Sequence, residues 1–216
     1  MESVYWEAQE SDELCAVHAL NTALQGPYYD PISLASIAQE IDREEQNLYR
    51  TSFSSENVGT TGFYSVQVIS KALQNQSIEM SYYSLSNSDP TQEECFICNH
   101  QNHWLTLRKV QGSWFNLNSL NDPLGPKLIS EFYLAAFLEN LQMESYTIFV
   151  LKGNLPDFSS VLFPNLAPHQ MVFSKETLSR TQEDDFEKAI QMSIKETQEE
   201  EDEDLKRAIE LSLQQP

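Results

Sequence analysis

Four residues in this chain have the types and spacing for nucleophilic chemistry on an acyl group: Cys15, His103, Asn118 and Gln9. Cys15 opens a helical pattern. Free N–H groups and the dipole at a helix start stabilise thiolate, and such cysteines fall from about 8.5 to about 3.5–7.5 in pKa. His103 opens the apolar stretch His103-Trp104-Leu105-Thr106-Leu107, and Asn118 follows 15 residues on, in Trp114-Phe115-Asn116-Leu117-Asn118-Ser119-Leu120. Between them Gln111-Gly112 has the composition of a hairpin turn. A two-residue turn pairs Val110 with Ser113, and hence Leu105 with Asn118. His103, two residues from Leu105 on the same face, is then a diagonal neighbour of Asn118. A three-residue turn puts the two on opposite faces. In the first register His103 takes the thiol proton and returns it to a leaving amine. Asn118 orients the imidazole without adding charge, and Gln9 supplies a side-chain N–H to the oxyanion beside the Cys15 backbone N–H.

The elements that must position these groups are legible in outline. Residues 1–14 read as extended. Cys15 to Gln25 has helical periodicity, stopped by Gly26-Pro27. A second helix is expected from Ile32 to about Asn47, opened by Pro31, then a polar loop over Ser52–Thr61 and a third helix from Gly62 to Gln74. Strands are expected at Ile78–Tyr83, Cys95–Asn99, His103–Val110, Trp114–Leu120 and Tyr146–Leu151, with a helix at Ile129–Leu141 before the last. Helices first and strands after point to an α+β domain around an antiparallel sheet, residues 1–152. Residues 153–182, with Gly153, Pro156, Pro164 and Pro168, read as a linker from which Val161-Leu162-Phe163 can dock on the domain.

The C-terminal region repeats itself at an offset of 19 residues: Glu183-Asp184-Asp185-Phe186-Glu187-Lys188-Ala189-Ile190-Gln191-Met192-Ser193-Ile194 returns as Asp202-Glu203-Asp204-Leu205-Lys206-Arg207-Ala208-Ile209-Glu210-Leu211-Ser212-Leu213. In each copy a large apolar residue, an alanine and a serine (Phe186, Ala189, Ser193; Leu205, Ala208, Ser212) share one helix face behind an acidic start. The alanine leaves a gap for close approach and the serine can hydrogen-bond what enters it. The pattern resembles the ubiquitin-interacting motif, in two copies at 183–197 and 202–216. A merely solvated acidic helix is the competing reading.

The net charge of -20 divides into -12 over residues 1–182 and -8 over 183–216, which disfavours nucleic acid as a partner and suits a basic-faced protein such as ubiquitin. No apolar run reaches the ~20 residues that span a bilayer, and Met1–Glu7 lacks a signal-peptide core. The expectation is a soluble protein of the nucleus and cytoplasm, with no membrane partner. Cys95-Phe96-Ile97-Cys98, followed by His100 and His103, invites a zinc or redox reading. On a strand, however, positions 95 and 98 face opposite sides, so core cysteines are expected, and no metal or other cofactor. His18 lies on the Cys15 helix face and reads as a packing or supporting residue rather than the base. Trp104 reads as sheet core, as a wall of the active-site groove, or as both.

Gln9, Leu14-Cys15-Ala16-Val17-His18-Ala19-Leu20-Asn21, Cys98-Asn99-His100-Gln101-Asn102-His103-Trp104 and Trp114 to Leu120 together resemble the Josephin domain. The resemblance covers residues 1–152 and, through the tandem motifs, the tail. It implies a papain-like fold and cysteine-dependent cleavage of ubiquitin isopeptide bonds, with Cys15 as nucleophile, His103 as base, Asn118 as orienting residue and Gln9 at the oxyanion. It implies ubiquitin, polyubiquitin chains and ubiquitinated proteins as partners. Three departures stand out. Gln9 lies six positions ahead of Cys15, one more than the family pattern. The region after the second helix is short, so the helical hairpin with which family members clamp ubiquitin is expected to be reduced. No Arg/Lys cluster follows the second tail motif, so the AAA-ATPase binding associated with that cluster is not expected. The alternatives to a deubiquitinating peptidase are a catalytically weak ubiquitin-chain adaptor and a zinc-binding interaction domain.

Overall fold

The computed structural model describes residues 3–10, 13–49, 57, 64–85, 88–121 and 125–178. It divides into two units, Met1–Lys175 and Glu176–Pro216. The tail positions Phe186, Ala189, Ser193, Leu205, Ala208 and Ser212 lie outside the described residues, as does the expected polar loop apart from Asn57.

The first unit is α+β, as the order of patterns along the chain suggests. In chain order it contains β1 (Ser3–Glu7), α1 (Cys15–Ala23), α2 (Pro31–Tyr49), α3 (Val66–Asn75), β2 (Glu79–Tyr82), β3 (Cys95–His100), β4 (His103–Val110), β5 (Ser113–Asn116), β6 (Lys127–Ile129), α4 (Glu131–Met143), β7 (Thr147–Lys152) and β8 (Gln170–Ser174). Six strands form one sheet in the order β2-β7-β3-β4-β5-β6, and β1 and β8 form a separate pair. Every strand pairing is antiparallel.

The large sheet is buried on both faces, so its central strands are apolar nearly throughout rather than alternating. On β3, Cys95 and Ile97 enter the core shared with α1, α2 and α3, with Trp104, Phe149 and Leu151. Phe96 and Cys98 enter the opposite core, with Leu107, Trp114, Ile148, Val150 and the α4 residues Leu134 and Leu138. There Phe96 stacks on Trp114 at 5.5 Å and meets Tyr83 edge-on at 4.8 Å. α1 is buried along its whole length, which its run of small and apolar residues permits.

Several boundaries differ from the periodicity reading. α3 begins at Val66 rather than Gly62, because the Ser65 hydroxyl caps it by accepting the Val68 N–H at 3.3 Å. α4 begins at Glu131, capped by Ser130, and Ile129 belongs to β6, opposite Trp114. β5 ends at Asn116; beyond it the chain turns, with Asn121 N–H donating to Asn118 O at 3.1 Å. The largest difference is the segment read as a linker. It carries β8, pairs with β1 and belongs to the first unit up to Lys175. Within it Phe163 packs on Tyr28 at 5.0 Å, while Val161 and Leu162 are exposed.

Candidate active site

Cys15 is the first residue of α1, and the N-cap position is Leu14, whose side chain has no polar atom to cap the helix. The positive end of the helix therefore acts on the sulfur. Cys15 is buried, and its Sγ–H donates to the carbonyl of Asn102 at 3.2 Å. Asn102 sits in the two-residue turn between β3 and β4, where His100 pairs with His103. The thiol thus rests against the residue that precedes His103.

The β4–β5 turn sets the other half of the site. Gln111 and Gly112 have φ of 50° and 80°, the two left-handed residues of a type I′ turn. Val110 pairs with Ser113 and Leu107 with Asn116, and the ladder extends to a Leu117 N–H bond with Thr106 O at 2.8 Å. This is the two-residue register, and it brings His103 Nε2 to 3.0 Å from Asn118 Oδ1.

Asn118 is held on three sides. Its N–H donates to Asn116 Oδ1 at 3.0 Å, its carbonyl accepts from Trp6 Nε1 at 3.1 Å, and its Oδ1 also accepts the Leu120 N–H at 3.1 Å. Oδ1 is therefore the acceptor toward His103, so Nε2 carries the proton of that bond and Nδ1 is the nitrogen left with a lone pair. Burial pushes the His103 pKa below its ordinary 6.5, while the Asn118 bond pulls it up. A half-buried imidazole of this kind is neutral near pH 7 and suited to accept a proton.

Gln9 is fixed from the same segment. Its N–H donates to Ser119 O at 3.0 Å, and its Oε1 accepts from Ser119 Oγ at 3.2 Å. With the oxygen end anchored, the NH2 end of the amide is the end that donates. Gln9 and Asn118 are thus tied together through one neighbouring residue, despite being over a hundred residues apart in sequence.

A buried polar cluster joins His18, which the sequence marks as a supporting residue, to Glu7, which it does not single out. Glu7 is fully buried, and its Oε1 accepts from Tyr5 Oη, from Asn21 Nδ2 at 3.0 Å and from Gln170 Nε2 at 3.2 Å. His18 Nδ1 lies 2.6 Å from Glu7 Oε2. Burial and the Glu7 carboxylate push the Tyr5 phenol pKa up, so Tyr5 stays a neutral donor. His18 is thereby engaged in joining α1 to β1. A lone glutamate in an extended N-terminal segment has the composition of any exposed strand residue, so only the fold reveals its burial. Asn116, Ser119 and Trp6 were likewise visible only as strand or turn residues.

The remaining cysteines are of a different kind. Cys95 and Cys98 are buried on opposite faces of β3, one in each core. Burial pushes the Cys95 thiol up to about 12 and raises that of Cys98 as well. Trp104 is buried, with Nε1 donating to Tyr64 O at 3.3 Å.

The Josephin family profile matches residues 9–152, and ubiquitin interaction motif profiles match residues 181–197 and 200–216. The chain is 39% identical to ataxin-3 of Gallus gallus, over 99% of this chain and 72% of the relative. It is 47% identical to ataxin-3 of Homo sapiens over 73% of this chain and 47% of that protein. It is 36% identical to the ataxin-3 homolog of Arabidopsis thaliana, over 71% and 60% respectively.

Proposed function

This chain belongs to the Josephin family, among the homologues of ataxin-3, and on that premise we propose that it is a deubiquitinating cysteine peptidase whose tail holds polyubiquitin. The observation that carries the reading is the 3.0 Å contact between His103 Nε2 and Asn118 Oδ1, with the Cys15 thiol bonded to the carbonyl of the residue before His103.

In the proposed reaction His103 Nδ1 accepts the Cys15 proton. The thiolate attacks the carbonyl carbon of the ubiquitin C-terminal glycine, forming a C–S bond. The developing oxyanion is met by the Cys15 backbone N–H and by the Gln9 amide. Asn118 holds the imidazole in plane while it carries the extra proton. His103 then protonates the lysine amine as the C–N bond breaks, leaving a thioester. A water, deprotonated by His103, hydrolyses the thioester to release ubiquitin carboxylate and restore the thiol. The raised thiols of Cys95 and Cys98 leave Cys15 as the cysteine suited to attack.

A ubiquitin probe bearing a C-terminal electrophile tests the reading. Labelling of the wild type and none of Cys15→Ala is the expected result. Binding of ubiquitin chains without labelling of the wild type would establish the adaptor reading instead.

A further inference from the structure

Past β7 the chain enters none of these chemical steps, yet it is anchored to the elements that perform them. Gly153 leaves β7 at φ +140°, where a Cβ would stand 2.9 Å from Ser77 O. Arg108 of β4 donates to the carbonyls of Leu155 at 3.3 Å and Pro156 at 3.4 Å. Phe158 stacks on Tyr5 at 5.8 Å. β8 then pairs with β1 from Ser174 opposite Ser3 to Gln170 opposite Glu7.

Two lines of contact run from β8 to the site. Along the first, Ala8 N–H donates to His169 O at 2.9 Å, one residue before Gln9. Gln170 shapes that end of the strand: its Oε1 accepts the Ala167 N–H at 2.9 Å and its Nε2 donates to Glu7. Along the second, Phe173 meets the Trp6 ring edge-on at 6.2 Å, and Trp6 donates to Asn118 O. Among the described residues β1 pairs with no strand other than β8. β1 is also tied to the end of α1, where the Gln25 side chain bonds the Tyr5 N–H and C=O; β8 adds the strand pairing that carries its backbone on toward Gln9.

We propose that β8 braces the active site: Gln170 and Phe173 are positioning residues that fix Gln9 and Asn118 through β1, and residues 153–175, beyond the family match, are part of the catalytic machinery. The proposal rests on the deubiquitinase reading above. Its physical basis is the precision that an oxyanion donor and a base-orienting amide require. A misplacement of about 1 Å costs on the order of a hundredfold in rate.

The test uses the full chain and a fluorogenic ubiquitin C-terminal amide. Gln170→Ala is expected to lower kcat about tenfold and leave KM within about twofold. Alkylation of Cys15 by iodoacetamide, which uses the thiol and His103 but no oxyanion donor, stays at the wild-type rate. In a Gln9→Ala background, Gln170→Ala has no further effect beyond about twofold, since both act through one group. Phe173→Leu, a milder change, gives the same cycle against Asn118→Ala and decides the matter if Gln170→Ala melts below the assay temperature. A lowered melting temperature with unchanged kcat, or effects that simply multiply in the double variants, overturns the proposal while the deubiquitinase reading stands. A wild type without turnover overturns both.

Discussion

Burial holds His103 in its basic form, since it depresses the imidazole pKa below 6.5 against the upward pull of Asn118. The sign of the pH dependence follows. Activity that needs neutral His103 persists as pH drops to 6.5 and is lost below it, through the depressed folded value. Asn118→Ala removes the upward contribution, so its acid limb moves to lower pH even as its plateau falls; pH–rate profiles of kcat/KM read both changes. Stability carries the same sign. The unfolded chain takes up the proton first, so stability is lost as pH falls from 6.5 toward the folded pKa, and urea midpoints of His103→Ala lack that slope. His103→Ala is expected to cost more turnover than Asn118→Ala, because one deletes the base and the other only misorients it. Cys15→Ala is expected to abolish hydrolysis and to leave ubiquitin binding and the melting temperature near wild type, as a small buried side chain replaces another. Cys15, His103 and Asn118 were legible in the sequence because each opens or follows a recognisable pattern. Glu7 was not, because its environment is assembled from α1, β1 and β8, and its partner Gln170 lies 163 residues away.

Elements were legible where their signals are local. The β4–β5 hairpin follows from Gln111-Gly112 between apolar runs, and its register decides whether His103 and Asn118 meet. Gly112 has φ +80° and nothing within 4 Å of a built Cβ. Gly112→Ala therefore costs only backbone strain, about 1–2 kcal/mol. Gly153→Ala adds to its φ of +140° a collision with the Ser77 carbonyl, so it lowers the melting temperature further, as calorimetry of the two variants side by side would show. Phe96→Ala opens a gap between Trp114 and Tyr83 and is expected to cost about 3–5 kcal/mol. β6 and β8 escaped the sequence reading for different reasons. β6 is three residues long and runs into the Ser130 cap of α4, so its apolar residues merge with the helical pattern. β8 is five residues of ordinary composition whose strand partner among the described residues is at the other end of the chain. Long-range pairing of that kind leaves no period, turn or cap in its own neighbourhood.

At the scale of the whole molecule, charge and repetition complement the site. The tail holds 12 acidic and 4 basic residues over 183–216, against a net -12 in the remainder, so attraction between the acidic motif starts and a basic ubiquitin face weakens as salt is raised. Read from the sequence as a helix, each motif is expected to offer one small apolar face, Phe186, Ala189 and Ser193 in the first and Leu205, Ala208 and Ser212 in the second. A single such face is expected to bind weakly. Two faces on one tether turn the second contact into an intramolecular event, and avidity can exceed single-site affinity by ~10²–10⁴ where a chain spans both. Ser193→Asp/Ser212→Asp places a larger, charged group beside each alanine gap and should remove polyubiquitin binding by the tail. The same double variant should cleave a fluorogenic ubiquitin amide at the wild-type rate, because that substrate is expected to engage the first unit and not the tail motifs. Titration of the full chain in its Cys15→Ala form with polyubiquitin, beside the fluorogenic assay, reads the two halves separately. Unchanged chain affinity in the double variant would mean that the repeat is a solvated acidic segment, and that the catalytic unit alone recruits ubiquitin.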